Sequence, residues 1–220
     1  NNFNIFMNKK MIDSKSFKTN NIYMCNHAGR IDWILSLWFG YNNYSKKVNF
    51  IAEVTGKYLP IIGWYRSLCE DIYVSRTFNK DQDLILNNIN SYKKDNVLRD
   101  IFFSPEGVIA DKNIYDISMI KDCNNFCKNN NFKKFEYVLT PRYKGLNCLI
   151  DNNNKYYALT VAYFKNNKLM NCKLNDITRE VPDLITLLKY DLQVYIYGKE
   201  INKKALDNPE KIKKKITKCL

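Results

Sequence analysis

The heptapeptide Asn-His-Ala-Gly-Arg-Ile-Asp, residues 26–32, holds the single histidine of the chain and a carboxylate five positions after it. Imidazole changes charge near neutral pH, and a neighbouring carboxylate can orient the ring and stabilise its protonated form. His27 is therefore a candidate general base, with Asp32 as its partner. Positions five apart on an ideal helix point about 140° away from each other, so the two side chains meet only if the chain turns before a helix begins. Gly29 permits such a turn.

The same stretch also allows a purely structural interpretation. A lone histidine often has no chemical role, and Asp32 stands directly before the apolar run of residues 33–38, so it could be the N-cap of a helix. Cys25, which precedes the heptapeptide, could be a nucleophile, although a small core residue at the end of a buried strand is the favoured interpretation. The heptapeptide alone leaves these alternatives open.

Length and net charge limit the number of domains and the kind of partner. The 220 residues fit one domain with its own core, and we expect a single domain over residues 1–220. Thirty-five basic residues against 22 acidic ones leave a net charge of +13, which favours a polyanionic partner. Nucleic acid, an anionic membrane surface and phosphorylated substrates all satisfy that condition, and charge alone does not choose among them.

Cysteines and apolar runs bear on the compartment. The seven cysteines are irregularly spaced with no secretory leader ahead of them, which predicts free thiols in a reducing compartment. Cys123 and Cys127 form the one close pair, and they lack the further ligands that zinc needs, so no metal site is predicted. The chain contains no run of 18 apolar residues, so no transmembrane helix is predicted. Because the chain begins with Asn-Asn, we expect a fragment whose membrane segments lie outside it.

Apolar runs alternate with helical patterns along the chain. The patterns predict strands at 22–25, 48–54, 71–76, 98–103, 137–140, 156–164 and 192–196. Helices are predicted at 32–41, 81–92, 115–128, around 146 and at 209–218, and residues 57–68 predict a short helix or a re-entrant surface segment. This alternation predicts an α/β fold with a mostly parallel central sheet flanked by helices.

The predicted fold also predicts where a site would lie. In parallel sheets the chemistry lies in loops beyond the carboxyl ends of the strands. The His27 loop and the loop containing Glu106 and Gly107 both follow predicted strands. We therefore expect the two loops to meet at one edge of the sheet, although about eighty residues separate them.

Four blocks of the sequence, in order, resemble the motifs of a known family. Asn26, His27 and Asp32 fit the spacing NHxxxxD, and the run FSPEGVI at residues 103–109 is similar to FPEGTR. Residues 63–76 resemble a further block that ends in an arginine, here Arg76. These are motifs of the glycerolipid and lysophospholipid acyltransferases. Residues 139–146 and 159–163 are similar to the branch that contains lysocardiolipin, lysophosphatidylinositol and acylglycerol-phosphate acyltransferases, and the resemblance covers about residues 20–200.

The resemblance implies acyl transfer from acyl-CoA to a free hydroxyl of a lysophospholipid, with His27 as general base and Asp32 orienting its ring. It implies acyl-CoA, the lysophospholipid and a membrane surface as partners, with no nucleic acid, no metal and no bound cofactor. The implied location is the endoplasmic reticulum membrane, with the site facing a reducing compartment. The implied substrate-binding residues are Asn26, Gly29, Arg30, Arg76, Glu106, Gly107, Arg142 and Lys144.

The second motif departs from the family pattern. Ile109 stands where the family has an arginine that binds the acceptor phosphate. The resemblance then assigns that role to Arg76, Arg142 or Lys112, because these cations could bind phosphate oxygens, or else the acceptor differs. The missing Thr-Arg also motivates an alternative, a catalytically inactive lipid-binding domain of the same fold.

Two further alternatives concern surfaces. A nucleic-acid-binding module would fit the charge of +13, but the chain has no helix-turn-helix, zinc-finger or RNP pattern. One set of aromatic residues could either form a patch at a membrane interface or belong to the core: Trp33, Trp38, Phe39, Tyr58 and Trp64.

Overall fold

The protein is described by a computed structural model that covers residues 3–8, 19–41, 46–111, 116–142, 144–151 and 153–206. Within these ranges the chain forms eight strands joined in one sheet, in the order β1-β8-β6-β2-β5-β3-β4, with β7 beside β6. The strands are β1 (Phe3–Met7), β2 (Asn20–Cys25), β3 (Lys47–Glu53), β4 (Ile72–Val74), β5 (Arg99–Phe103), β6 (Asn154–Lys165), β7 (Lys168–Leu169) and β8 (Leu192–Ile201).

Most neighbouring strands run parallel. The pairs β1–β8, β2–β5, β2–β6, β3–β4 and β3–β5 are parallel, while β6 pairs antiparallel with β7 and β8. The central strands β2 and β5 are buried along nearly their whole length, as expected of parallel strands covered on both faces. The predicted α/β fold with a mostly parallel sheet is confirmed.

Helices cover both faces of this sheet. The helices are α1 (Asp32–Tyr41), α2 (Ile62–Leu68), α3 (Phe78–Lys94), α4 (Asp116–Asn129), α5 (Lys144–Asn147) and α6 (Leu184–Lys189), with 3-10 segments at Val54–Tyr58 and Lys203–Leu206. Alternate residues of β2 serve the two faces because successive strand side chains point in opposite directions. Tyr23 packs with Phe39 of α1, and Ile22 belongs to the core that includes Ile85 of α3. None of the described helices is both long and apolar enough to span a bilayer.

Two strand predictions differ from the structure. Residues 137–140 form no strand, because Leu139 donates its N–H to the side chain of Glu106 instead of to a neighbouring strand, and Pro141 has no N–H to offer. β1 was not predicted, since its half-buried and exposed residues alternate over only five positions. The predicted helix at 209–218, the first residue of the predicted helix at 115–128 and Lys112 lie outside the described residues.

The topology brings the two motif loops together. β2 and β5 are adjacent and parallel, with Met24 opposite Phe103. Their carboxyl ends therefore lie side by side, and the loops at 26–31 and 104–111 leave the sheet at the same edge. The expected meeting of the His27 and Glu106 loops is confirmed by a hydrogen bond of 2.7 Å from the His27 backbone N–H to Glu106 Oε1.

Candidate active site

His27 and Asp32 contact each other directly. The His27 Nδ1 to Asp32 Oδ2 distance is 2.9 Å. The chain turns before α1 begins, and Asp32 donates its own N–H to the Gly29 carbonyl at 3.2 Å. This turn brings the two side chains together despite their spacing. Asp32 is buried and His27 half-buried, so the pair lies at the surface of a cleft with the carboxylate behind the ring.

Asp32 is held from two other directions as well. Its Oδ2 accepts the Ala28 N–H at 3.0 Å, and its Oδ1 accepts the Tyr163 hydroxyl at 2.8 Å. Burial raises the pKa of Tyr163 well above its ordinary value, and the neighbouring Asp32 raises it further, so the phenol keeps its proton and acts as a donor. Three hydrogen bonds to one carboxylate fix its position. The imidazole therefore engages Asp32 through Nδ1 and has Nε2 left for a substrate.

Asn26 and Glu106 are buried and do not line the cleft. Asn26 Nδ2 donates to the Val161 carbonyl at 3.0 Å, and its Oδ1 accepts the Val161 N–H at 2.6 Å, so the side chain continues the pairing of β2 with β6. Glu106 accepts the N–H groups of His27 and Leu139, each at 2.7 Å. Both side chains thus position the backbone around His27, and their predicted contacts with substrate stay predictions.

The Glu106 carboxyl is poised to titrate near neutral pH. Complete burial raises its pKa to about 7, although the hydrogen bonds from Leu139 and His27 and the charges of His27 and Arg179 act in the opposite direction. Removing a carboxylate from water is costly, and the two backbone donors offset only part of that cost. The ionisation of this group is therefore linked to the stability of the loop that carries His27.

Both motif glycines occupy positions where a side chain matters. A Cβ on Gly29 would lie 2.6 Å from Pro182 Cγ, which is closer than real Cβ contacts, because the loop packs on the segment before α6. Gly107 has φ +71°, in the left-handed region that favours glycine. A Cβ there would meet Arg142 Cδ at 3.5 Å, an ordinary contact, so the backbone conformation is what selects glycine at this position.

A large cleft opens beside His27. It encloses about 980 Å³, at the upper end of ligand pockets in general. Much of the lining is apolar, including Trp33, Phe50, Leu59, Ile62, Phe103 and Ile109. An apolar cleft of this size beside a His–Asp pair can hold a long hydrocarbon chain with its reactive end at the imidazole.

Four of the predicted cations, Arg30, Arg76, Arg142 and Lys144, line this cleft, but their partners differ. Arg30 pairs with Asp111 at 2.6 Å, and Arg76 pairs with Glu53 at 2.6 Å. Arg142 is exposed on the cleft wall, and no carboxylate among the described residues forms an ion pair with it. Lys144 lies nearby at the first residue of α5. Of these three arginines, Arg142 is therefore the one that forms no ion pair with an acid among the described residues.

Two residues that were not predicted from the sequence contribute to the site. Tyr163 belongs to a block that carries the family resemblance, but nothing in its spacing from Asp32, 131 positions away, predicts their hydrogen bond. Arg66 lines the cleft and forms a buried pair with Asp71, at 2.6 Å from Nε to Oδ2 and 2.7 Å from Nη2 to Oδ1. Burial raises the Asp71 pKa, while Arg66 lowers it.

The predicted aromatic patch divides between core and surface. Phe39 is buried, and Trp38 packs against it edge-on with ring centroids 5.3 Å apart. Trp33 is half-buried in the cleft lining, while Tyr58 and Trp64 are exposed. Cys25 is buried, and burial raises the pKa of its thiol, which fits the core role and not that of a nucleophile.

Fold and site together define an α/β protein with a His–Asp pair at the carboxyl edge of its sheet. The sequence model of the Acyltransferase family matches residues 6–163, and the chain belongs to this family. Lysocardiolipin acyltransferase 1 of Gallus gallus is 28% identical over 153 residues, 66% of this chain and 39% of that protein. The corresponding protein of Danio rerio is 26% identical, over 66% of this chain and 38% of its own length.

A second group of relatives matches a longer part of the chain. The 1-acyl-sn-glycerol-3-phosphate acyltransferase delta of Homo sapiens is 26% identical over 188 residues, 81% of this chain and 45% of that protein. The chain therefore spans less than half the length of these relatives. The resemblance to the acyltransferases and to this branch is confirmed. No solved structure matches the chain significantly.

Proposed function

We propose that the protein transfers a fatty acyl group from acyl-CoA to a free hydroxyl of a lysophospholipid, of the 1-acylglycerol-3-phosphate, lysocardiolipin or lysophosphatidylinositol type. The observation that carries the proposal is the 2.9 Å contact between His27 Nδ1 and the buried Asp32, at the wall of an apolar cleft. The names of the similar proteins support this acceptor class. The proposed site acts at a membrane, since acceptor and product are lipids.

In the proposed reaction, His27 Nε2 takes the proton of the acceptor hydroxyl as its oxygen attacks the thioester carbonyl carbon. Asp32 stabilises the imidazolium that forms. The tetrahedral intermediate collapses by breaking the carbon–sulfur bond, and the imidazolium returns the proton to the leaving CoA thiolate. The acyl group passes directly to the acceptor oxygen, so the chemistry uses no covalent acyl-enzyme, metal or bound cofactor.

The oxyanion of that intermediate needs donors near His27. The N–H groups of Ala28, Arg30 and Asp32 already donate to Asp32 Oδ2, the Pro182 carbonyl and the Gly29 carbonyl. We assign the role to the Gly29 N–H, which lies in the same loop and whose residue lines the cleft.

Arg142 is the proposed ligand of the acceptor phosphate, in place of the arginine that Ile109 replaces. It lines the cleft beside Gly107 and pairs with no described acid, whereas Arg30 and Arg76 are neutralised by Asp111 and Glu53. A guanidinium binds phosphate oxygens through paired hydrogen bonds. Arg142→Gln should raise KM for the acceptor more than it lowers kcat, and Arg30→Gln should have the smaller effect.

The experiment that tests the function is CoA release from acyl-CoA with a panel of lysophospholipids of different head groups. We expect acceptor-dependent release for at least one head group in the panel, with formation of the diacyl product. Lysophospholipid binding without CoA release for every acceptor would instead identify the inactive lipid-binding domain. Binding to nucleic acid in place of lipid would overturn both.

A further inference from the structure

The segment of residues 54–68, here called the apolar wedge, exposes large apolar side chains beside the cleft. It consists of the 3-10 segment Val54–Tyr58, a short turn and α2. Tyr58, Ile61 and Leu68 are 74%, 76% and 84% exposed, and Leu59, Trp64 and Tyr65 are exposed next to them. A contiguous exposed apolar patch marks an interaction site more often than an isolated exposed leucine does.

The wedge is built as a stiff support for these side chains. A Cβ on Gly63 would lie 2.4 Å from the carbonyl oxygens of Gly56 and Lys57, so the 3-10 segment packs directly on α2. The base of α2 is fixed to the sheet by the buried Arg66–Asp71 pair and by Asn49 Nδ2, which donates to the Cys69 carbonyl at 2.8 Å. The apolar side chains are thus held outward from an anchored base.

The turn at the tip of the wedge is strained. Ile61 has φ 66° and ψ −59°, and Ile62 donates its N–H to the Pro60 carbonyl at 2.7 Å, which closes a tight three-residue turn. A β-branched residue rarely adopts positive φ. Such strain is found at binding surfaces, and here it presents the Ile61 side chain to solvent.

Charge indicates the partner. Residues 54–68 contain no aspartate or glutamate, and Lys57 is exposed. The flanking acids are each held in an ion pair: Glu53 with Arg76, Glu70 with Lys47 and Asp71 with Arg66. The chain as a whole carries +13. Tyr58, Trp64 and Tyr65 combine apolar rings with polar tips, the composition that suits the head-group level of a bilayer. Helix α6 also exposes Ile185 and Leu188, but none of its residues lines the cleft.

The wedge is continuous with the cleft. Leu59, Ile62 and Gly63 line the same cleft as His27. With the wedge in the interface, the mouth of the cleft would rest on the bilayer, and an acceptor lipid could move its acyl chain into the cleft without exposing it to water. We propose that the apolar wedge docks on a lipid bilayer containing anionic lipids and delivers the acceptor to His27, an inference that rests on the proposed function for the identity of the cargo.

The test compares two matched triple variants. The wedge variant is Tyr58→Ser/Ile61→Ser/Leu68→Ser. The control variant, Tyr197→Ser/Ile177→Ser/Leu188→Ser, removes the same residue types at positions 61–85% exposed. Flotation with vesicles of phosphatidylcholine and phosphatidylserine measures membrane binding, and CoA release is measured with a vesicle-embedded lysophospholipid and with a short-chain, monomeric one.

We expect the wedge variant to bind the vesicles at least about tenfold more weakly than the native protein, because three apolar contacts with the bilayer are lost. It should lose activity on the embedded acceptor, keep activity on the monomeric one, and unfold at the same temperature as the control, which should bind like the native protein.

Several results would overturn the docking surface: native protein that does not float, a wedge variant that floats as well as the native protein, equal losses in both variants, or a wedge variant that binds normally but no longer self-associates. The last result would identify a second copy of the chain as the occupant. Failure of the proposed function gives a different pattern, in which the native protein releases no CoA with any acceptor. Flotation would still show whether the apolar wedge binds the bilayer.

Discussion

Asp32 shows at the residue scale how the site prepares an imidazole for proton transfer. Its two oxygens accept hydrogen bonds from His27 Nδ1, the Ala28 N–H and the Tyr163 hydroxyl. The carboxylate is thereby fixed before substrate arrives, and the ring it holds needs no reorganisation during the proposed reaction. Tyr163 is a positioning residue in this arrangement because it contacts Asp32 and acts through it.

Replacing Tyr163 with phenylalanine removes one donor from Asp32 and leaves the ring in place. We expect kcat to fall about tenfold, the equivalent of one net hydrogen bond, with KM for the acceptor nearly unchanged. Steady-state kinetics measure the split. Tyr156→Phe is the matched control on the same strand, since the Tyr156 hydroxyl bonds only within residues 149–156 in the described structure. A Tyr163→Phe enzyme with native kcat would exclude this role.

Glu106 makes stability depend on pH. Its pKa is raised from 4.5 to about 7 by burial, so the folded protein binds the proton more tightly than the unfolded chain does. Its contribution is therefore fully present below about pH 4.5 and is lost as pH rises through about 7. Relative to Glu106→Gln, which cannot titrate, the native free energy of unfolding should decrease by up to about 3 kcal/mol over that window.

Denaturant unfolding of both proteins across this pH range measures that difference. The variant itself should be less stable than the native protein at low pH, because a glutamine side chain presents only one acceptor oxygen to the two N–H groups of His27 and Leu139. A difference that stays constant with pH, or grows as pH rises, would show that Glu106 is ionised throughout.

At the scale of elements, the His27 loop depends on its fit against the segment before α6. Gly29→Ala places a methyl group 2.6 Å from Pro182 Cγ, and Arg30 is tied to the Pro182 carbonyl at 2.9 Å, so the loop cannot easily move away. We expect a loss of about 1–3 kcal/mol in the free energy of unfolding. Gly145→Ala is the matched control, because open space surrounds that position; an equal or larger loss there would contradict the packing argument.

The elements also show how far the sequence alone reaches. The strands β2 and β5 were predictable because both contain short apolar runs. Since these strands end at Cys25 and Phe103, the two motif loops could be placed at one edge of the sheet. Residues 137–140 misled the same reasoning, since Val138 and Leu139 are buried without strand pairing and the Leu139 N–H donates to Glu106. A short apolar run in the sequence therefore does not distinguish a buried loop from a strand.

The site was predictable to the extent that its residues are close in sequence. His27 and Asp32 are five positions apart with Gly29 between them, so their contact follows from a turn. The hydrogen bond from Tyr163 to Asp32 and the Gly29 contact with Pro182 join distant segments. Only the pairing of β2 with β6, which sets Cys25 opposite Leu159, brings Tyr163 near, and no periodicity in the sequence carries that register.

At the scale of the whole molecule, the wedge, the cleft and the net charge of +13 suggest one orientation toward a membrane. The apolar wedge would supply contacts that salt does not screen, and the basic surface a long-range attraction that salt does screen. Binding to vesicles containing phosphatidylserine should therefore weaken at least about tenfold between about 0.1 M and 1 M salt, as the Debye length falls from about 10 Å to about 3 Å.

Flotation at increasing salt measures this dependence, with pure phosphatidylcholine vesicles as the control. The weaker binding to the zwitterionic vesicles should change little with salt, because the wedge contacts are apolar. Binding to the anionic vesicles that is independent of salt would show that charge has no part in docking.

The central claim is that His27 is the base of a direct acyl transfer. The measurement that tests it most directly is formation of the diacyl lipid from acyl-CoA and the best lysophospholipid of the panel, by native protein and by His27→Ala at matched unfolding temperature. We predict a loss of at least about a hundredfold in kcat for His27→Ala, since general base catalysis contributes on that order or more. Diacyl lipid formed by His27→Ala at the native rate would contradict the mechanism.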